Sequence, residues 1–152
     1  MLVTGASSGF GRSLTEFVLN QGEIVVATLR KPEVLQELSA SYPEDKLLVL
    51  KVDVTNPTDI HHAFARTKEV FDRLDVVFNN AGSVIVGEAE MTPIDDARAL
   101  FDVNFWGAVR VSQATMKFFK EVNEPGRGGI LLQSSSLAGF EGPPAFSIYA
   151  AR

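Results

Sequence analysis

Apolar positions along this chain alternate between short continuous runs and stripes spaced three and four apart, a pattern that predicts strands exchanging with amphipathic helices. The first run, Met1-Leu2-Val3, is ended by glycines. Phe10, Leu14, Phe17 and Val18 then fall at i, i+4, i+7 and i+8, predicting the inward stripe of a helix that Asn20-Gln21-Gly22 ends. Ile24 to Leu29 reads as a buried strand, and Pro32 to Ala40 as a short helix with Val34, Leu35 and Leu38 inward. Leu47 to Leu50 is the next strand. Asn56-Pro57-Thr58-Asp59 sets a capping residue before a first-turn proline and opens a helix with the stripe Ile60, Phe64, Thr67, Phe71. Leu74 to Phe78 is a further strand, broken by Asn79-Asn80-Ala81-Gly82. Thr92-Pro93-Ile94-Asp95 reads as a second helix start of the same kind, leading into a helix reaching about Asn123. Pro125 to Gly129 is a turn, and Ile130-Leu131-Leu132 the fifth strand.

Continuous apolar strands between amphipathic helices predict the α/β class, with a parallel sheet covered on both faces. With no repeat, low-complexity tract or linker, residues 1–152 read as one domain. Composition adds exclusions. The net charge of −5, from 14 basic and 19 acidic residues, argues against nucleic acid as a partner. No apolar run approaches the ~18 residues of a membrane span, and Met1-Leu2-Val3-Thr4-Gly5 lacks the basic and apolar regions of a signal peptide, so the cytosol is the expected compartment. The chain has no cysteine, which removes disulfides and thiolate metal sites. His61 and His62 are adjacent on an amphipathic helix and point apart, so they read as surface residues and no metal site is expected. Trp106 reads as core or interface.

Chemistry enters at Thr4-Gly5-Ala6-Ser7-Ser8-Gly9-Phe10-Gly11, between the first strand and the first helix. Glycines at these offsets let backbone approach a pyrophosphate, and the helix start offers unpaired N–H groups and a positive dipole end. The spacing is Gly-x-x-x-Gly-x-Gly rather than the Gly-x-Gly-x-x-Gly of many dinucleotide folds. After the second strand stands Thr28-Leu29-Arg30-Lys31, where a carboxylate would favour the ribose hydroxyl of NAD and an Arg the 2′-phosphate of NADP. Arg30 therefore points to NADP(H).

Thr-Gly-x-x-x-Gly-x-Gly, Asp53-Val54-Thr55 after the third strand, Asn79-Asn80-Ala81-Gly82, Asn104-Phe105-Trp106-Gly107, and Ser136 placed 13 residues (149 − 136) before Tyr149 occur in that order. Together they resemble the short-chain dehydrogenase/reductases, across the whole chain. The resemblance implies a Rossmann-type doubly wound sheet and hydride transfer between NADP(H) and a carbonyl or alcohol. It implies a cofactor site of Gly5, Ser7, Ser8, Gly9, Phe10, Gly11, Arg30, Asp53, Val54, Asn80, Ala81, Gly82 and Tyr149. Within it Asp53 would accept from the adenine amino group, and Asn80 and Gly82 would bound the nicotinamide ribose and brace the sheet centre. It also implies that Tyr149 exchanges the proton, Ser136 holds the substrate oxygen, and Asn104 supports the family's lysine through its backbone and a water. Phe140, Pro143, Pro144 and Phe146 suggest an apolar pocket wall and a lipophilic carbonyl substrate. Family members pair into dimers or tetramers through the helix around Asn104 and the one begun at Tyr149.

The family pattern is Tyr-x-x-x-Lys, and the chain ends Tyr149-Ala150-Ala151-Arg152. Arg152, at i+3, lies about 300° round a helix from Tyr149 and is no substitute. Short also of the family's last strands and substrate loop, the chain reads as part of a longer enzyme, clipped at both ends, with an incomplete sheet and a bare fifth strand. A non-catalytic NADP-binding fragment or interaction module is the alternative from a different functional class. A Rossmann-like methyltransferase shares the glycine turn but gives no reason for the Ser136–Tyr149 interval. The chain by itself is expected to show at most trace reductase turnover. Robust NADPH-dependent ketone reduction by the purified 152 residues, abolished by Tyr149→Phe, would overturn that expectation.

Overall fold

A computed structural model describes residues 1–151; Arg152, and with it the reading of that side chain, lies outside the described residues. Five strands, β1 (Leu2–Thr4), β2 (Val25–Leu29), β3 (Leu47–Lys51), β4 (Val76–Asn79) and β5 (Ile130–Gln133), form one sheet in the order β3-β2-β1-β4-β5. Every pairing is parallel, with Leu2 opposite both Val26 and Val77, Val25 opposite Leu47, and Val76 opposite Ile130. The chain winds outward from β1 to β3, then returns to β1's other side for β4 and β5. The strand order thus reverses between β1 and β4, and the crevice beyond the carboxyl ends of these two strands is where open α/β sheets bind ligands.

Alternation along each strand divides the core in two. Leu2, Val26, Leu48 and Val77 face helices α3 (Pro57–Phe71) and α5 (Ala108–Glu121), which contribute Ile60, Phe64, Val111 and Phe118. Val3, Ala27, Leu29 and Leu47 face the other way, toward α1 (Gly9–Asn20), which contributes Leu19, and a turn of tight helix, Pro32–Leu35, that buries Leu35 and runs into α2 (Gln36–Ala40). Helices on both faces are what two apolar sheet surfaces require. β5, at one end of the sheet, is covered on one face only: Leu131 packs against the first core, whereas Ile130 and Leu132 on the other face are 57% and 44% exposed. No helix among the described residues is long and apolar enough to cross a membrane.

Several local readings change. In α1 the buried positions are Gly11, Thr15 and Leu19, whereas Phe10 and Phe17 are 82% and 61% exposed. The start of the helix is buried on small residues, Gly11 and Thr15, because its first turn comes within backbone contact of the glycine loop and leaves no room for phenylalanine there; Leu19 fills the core at the other end. Val34, expected inward, is exposed, since the tight 3₁₀ turn aims Leu35 at the sheet instead. Asn56 caps α3 as expected, its side chain accepting from the Thr58 N–H. Thr92 does not repeat that role: α4 (Ile94–Phe101) starts one residue later with Pro93 at its cap, and the Thr92 hydroxyl donates back to the Glu88 carbonyl at 3.0 Å. The single long helix is interrupted by a wide π-helical segment, Asp102–Gly107, that links α4 to α5. It ends on a glycine because a Cβ at Gly107 would sit 2.8 Å from Val54 Cγ2. Trp106 is half exposed on this segment, edge-on to Phe105 with centroids 4.9 Å apart, and so is not a core residue. His61 and His62 both lie at the surface.

Past α5, buried Asn123 ties three chain segments together. Its Oδ1 accepts from the Leu74 N–H at 3.0 Å, and its Nδ2 donates to the carbonyls of Leu74 at 2.7 Å and Gly128 at 2.6 Å. The end of α5 is thereby fastened to the entrances of β4 and β5. Asn123→Leu is expected to leave the two buried Leu74 backbone groups without partners, and the Gly128 carbonyl without its bond, and to lower unfolding stability by about 2–4 kcal/mol. Urea denaturation with an unchanged midpoint would contradict this.

Candidate active-site cleft

The cleft begins where Thr4 ends β1. Its hydroxyl accepts from the N–H groups of Asn80 and Ala81, both at 2.9 Å, and donates to Asn79 Oδ1 at 3.3 Å. Asn80 Nδ2 returns a bond to the Thr4 carbonyl at 3.0 Å, and buried Asn79 donates to the Ala108 carbonyl at 3.0 Å. One threonine thus holds the carboxyl ends of the two strands at the order reversal side by side. Gly5 leaves β1 with φ +69, and a Cβ there would stand 3.0 Å from Ala81 Cα. A Cβ on Gly11 would collide with the Gly5 carbonyl and approach Asn80 Nδ2 to 2.7 Å. The α1 helix can dock this closely only with glycine at both positions.

Gly9, with φ +54, turns the chain into α1. Ser8 precedes it in extended conformation without a side-chain cap, and the first turn holds no acidic residue. Its N–H groups and the positive end of the helix are therefore left for an anion. Gly5, Ser7, Ser8, Gly9 and Phe10 form one wall of a cavity of about 350 Å³. Arg30, past the end of β2, and Asp53 with Val54, past the end of β3, form the far wall; Asn80, Ala81 and Gly82 form the near floor. Gly11 lies beneath the turn, outside the lining.

Asp53 is exposed enough to meet a ligand yet firmly oriented. The Thr55 N–H and hydroxyl both donate to Asp53 Oδ1, at 2.9 and 2.7 Å, and its own N–H donates to Asp59 Oδ2 at 2.9 Å. Burial pushes its carboxyl up. The two Thr55 bonds and the nearby Arg30 charge together outweigh that and hold it below the usual carboxylate range. Asp53 therefore stays ionised at neutral pH, an acceptor beside a guanidinium.

A second cavity, of about 770 Å³, continues the first along Phe10, Asn80, Ala81, Gly82 and Ser83. Asn104, Ser136 and Tyr149 all line it, from the π-helical segment, the loop after β5 and the short helix α7 (Ser147–Ala150), which follows α6 (Ala138–Glu141). The Asn104 amide is fully engaged: Oδ1 accepts from the Ser83 N–H at 2.8 Å and Nδ2 donates to the Ser83 carbonyl at 2.7 Å. Ser136 Oγ accepts from the Ala138 N–H at 3.2 Å, and the Tyr149 ring sits edge-on to Phe146 with centroids 5.9 Å apart. The expected apolar wall does not form: Phe140 is 85% exposed, and neither it nor Pro143, Pro144 or Phe146 lines the cavity, whose apolar lining includes Phe10, Val84, Phe105 and Val109. Among the described residues, no group of three or more His, Asp or Glu side chains could hold a metal.

Sequence reasoning missed Thr4, Asn79 and Ser83 as braces. Thr4 and Asn79 flank the glycine motifs, but their mutual bond spans 75 positions and leaves no local signal.

The family model described as short chain dehydrogenase matches residues 1–152. The chain belongs to the short-chain dehydrogenase family. This is a family of oxidoreductases that bind nicotinamide cofactors. An uncharacterised oxidoreductase of Schizosaccharomyces pombe is 37% identical over 149 residues, covering 98% of this chain and 48% of the relative. The 3-ketodihydrosphingosine reductase of Bacteroides thetaiotaomicron is 33% identical over 151 residues, covering 99% of this chain and 52% of that protein. A crystal structure of a short-chain dehydrogenase from Streptomyces avermitilis superposes with TM-score 0.89 at 36% identity, over 99% of this chain and 54% of the other. The chain thus spans about half the length of the curated relatives it matches. In this short-chain dehydrogenase chain, Thr4→Val keeps the side-chain shape and removes all three hydroxyl bonds. It is expected to lower unfolding stability by about 2–3 kcal/mol, and full stability in a thermal or urea melt would contradict it.

Proposed function

We propose that this chain forms the cofactor and proton-transfer region of an NADP(H)-dependent reductase acting on a carbonyl or alcohol substrate. One observation carries the reading: a single continuous cleft joins the glycine turn, Arg30 and Asp53 at one end to Asn104, Ser136 and Tyr149 at the other.

The residues present fit a dinucleotide. The two glycines that a Cβ would block, the uncapped start of α1 and the absence of acid from its first turn suit a pyrophosphate. Gly5 and Ser7 to Phe10 would hold it, with Gly11 allowing the close approach. Arg30 would take the 2′-phosphate in charge-assisted bonds, and Asp53, with its flanking Val54, would receive the adenine amino group. Asn80, Ala81 and Gly82 would bound the nicotinamide ribose, together with Tyr149. When bound, the nicotinamide supplies or removes a hydride.

The chain's own task is then to orient the carbonyl and move a proton. Ser136 Oγ would donate to the substrate oxygen, and the Tyr149 hydroxyl would give its proton to that oxygen on reduction and take it back on oxidation. With its amide bound to Ser83, Asn104 would act through its main chain and by shaping the wide turn beneath the cavity. Phe10, Val84, Phe105 and Val109 favour a substrate that is apolar next to the reacting carbon. Assembly as a homodimer or tetramer through the α4–α5 helix, supported by exposed Trp106 and Met116, and a cytosolic site of action belong to the same reading.

Binding separates NADP(H) from NAD(H). NADPH is expected to bind the chain more tightly than NADH. Arg30→Ala should weaken NADPH about 10- to 100-fold, as loss of a charged hydrogen-bond partner implies, with NADH nearly unchanged. Fluorescence titration showing equal losses for both cofactors, or tighter NADH binding by the parent chain, would remove the NADP assignment.

A further inference from the structure

Tyr149 comes from a helix of only four residues, so the turn leading into that helix bears directly on where the side chain lies. Four residues earlier (149 − 145), Ala145 adopts φ +62, and among the described residues only Asp72 is another non-glycine with positive φ. Left-handed backbone is unfavourable for a residue with a Cβ and persists where its surroundings hold it. Ala145 is the third residue of a turn closed by the Phe146 N–H on the Pro143 carbonyl at 3.2 Å, and its own carbonyl accepts from the Gly87 N–H at 2.8 Å, which ties that turn to a second loop. Gly87 lies on the loop after β4, and that loop is gripped at Ser83 by both atoms of the Asn104 amide. Ser83 to Gly87 is therefore a strap, fixed to the π-helical segment at one end and to the approach of Tyr149 at the other. Ser83 and Val84 of the strap line the same cavity as Asn104, Ser136 and Tyr149.

We propose that the Gly87–Ala145 bond is a latch that positions Tyr149 in the cleft, with Gly87 and Ala145 as positioning residues and Asn104 acting on Tyr149 through the strap. The proposal rests on the reading of Tyr149 as the proton-transfer group. The latch joins two loops with no strand pairing between them, and it engages the one residue of the Pro143–Phe146 turn that is in left-handed backbone. Release would untie the Pro143–Phe146 turn from the strap and let it carry the start of α7 away from Ser136. No side chain is needed at position 87, because a Cβ there would meet only Thr92 Oγ1 at 3.5 Å. The donor N–H is the feature used.

The chain has two tyrosines, Tyr42 and Tyr149, so 3-fluorotyrosine labelling gives one ¹⁹F line for the cleft and one for a distant control bonded to Asn20. Amide exchange reads the Gly87 N–H directly, and both are measured without cofactor. Ala145→Val disfavours left-handed backbone and is expected to lower Gly87 protection about tenfold and shift the Tyr149 line while leaving Tyr42 in place. Ala145→Gly, which adopts this backbone freely, and Gly87→Ala, which keeps the donor, should both retain the parent protection and the parent Tyr149 line. Parent behaviour in Ala145→Val, loss of protection in Ala145→Gly, or a Tyr42 line that moves together with Tyr149 would each overturn the latch. Failure of NADPH to perturb the Tyr149 line of the parent chain would instead count against the proposed function and leave the latch standing.

Discussion

The structure depends on how closely three backbones meet beyond β1: the turn after Thr4, the first turn of α1, and the start of the loop after β4. Gly5 and Gly11 allow the approach, since a Cβ at Gly5 would stand 3.0 Å from Ala81 Cα and one at Gly11 would collide with the Gly5 carbonyl. The Thr4 hydroxyl then joins the contact with three bonds to residues 75–77 positions away. Each partner is a backbone or amide group that water would otherwise satisfy, so the threonine both excludes water and replaces it. Pull this point apart and α1 loses its seat, the crevice at the order reversal widens, and the first-turn N–H groups no longer face the floor formed by Asn80 and Ala81.

Every other part of the cleft is arranged around that point by loops at the carboxyl ends of parallel strands. Asp53 is aimed by Thr55 rather than by the sheet, which leaves one carboxylate oxygen accepting two local bonds beside the Arg30 charge. Asn104 is aimed by the π-helical segment, whose extra width presents its amide to both polar atoms of the Ser83 main chain. Such segments interrupt helices at functional positions because they re-aim one side chain without ending the helix. Gly107 closes the segment against Val54, so the same helix that carries Asn104 also packs on the residue beside Asp53. The two ends of the cleft are thus mechanically joined beneath it.

Much of this was legible along the chain, and the pattern of misses has a physical cause. The strands, the Asn56 cap and the Ile60–Phe64–Thr67 stripe were readable because burial on a parallel sheet demands continuous apolar runs, and because α3 rests on the sheet through its large side chains. The α1 stripe was misread because apolar periodicity assumes that large residues face inward. Here Gly11 and Thr15 do, since the start of α1 rests on backbone contact with the glycine loop, and a large side chain, Leu19, enters the core only at the helix's far end. Thr92 looked like Asn56 in sequence, yet its hydroxyl found a nearer acceptor in the Glu88 carbonyl. Phe140 looked like a pocket wall and is exposed, because the turn at α6 points it away from the cavity.

By itself the sequence determined the class of sheet, the order of its elements and the family to which the chain belongs. Glycine offsets and apolar runs are local facts that follow from backbone freedom and from helix and strand periods, whereas the Ser136–Tyr149 interval is legible only through resemblance to the family. Tertiary structure decided which of those residues meet. It made Thr4 a brace, gave the Asn104 amide to Ser83 instead of to solvent, and fixed Ala145 in left-handed backbone against Gly87. These are contacts between segments far apart in the chain, each worth little alone. They exist only because a parallel sheet delivers its loops to one edge, where unpaired backbone groups must find one another or water.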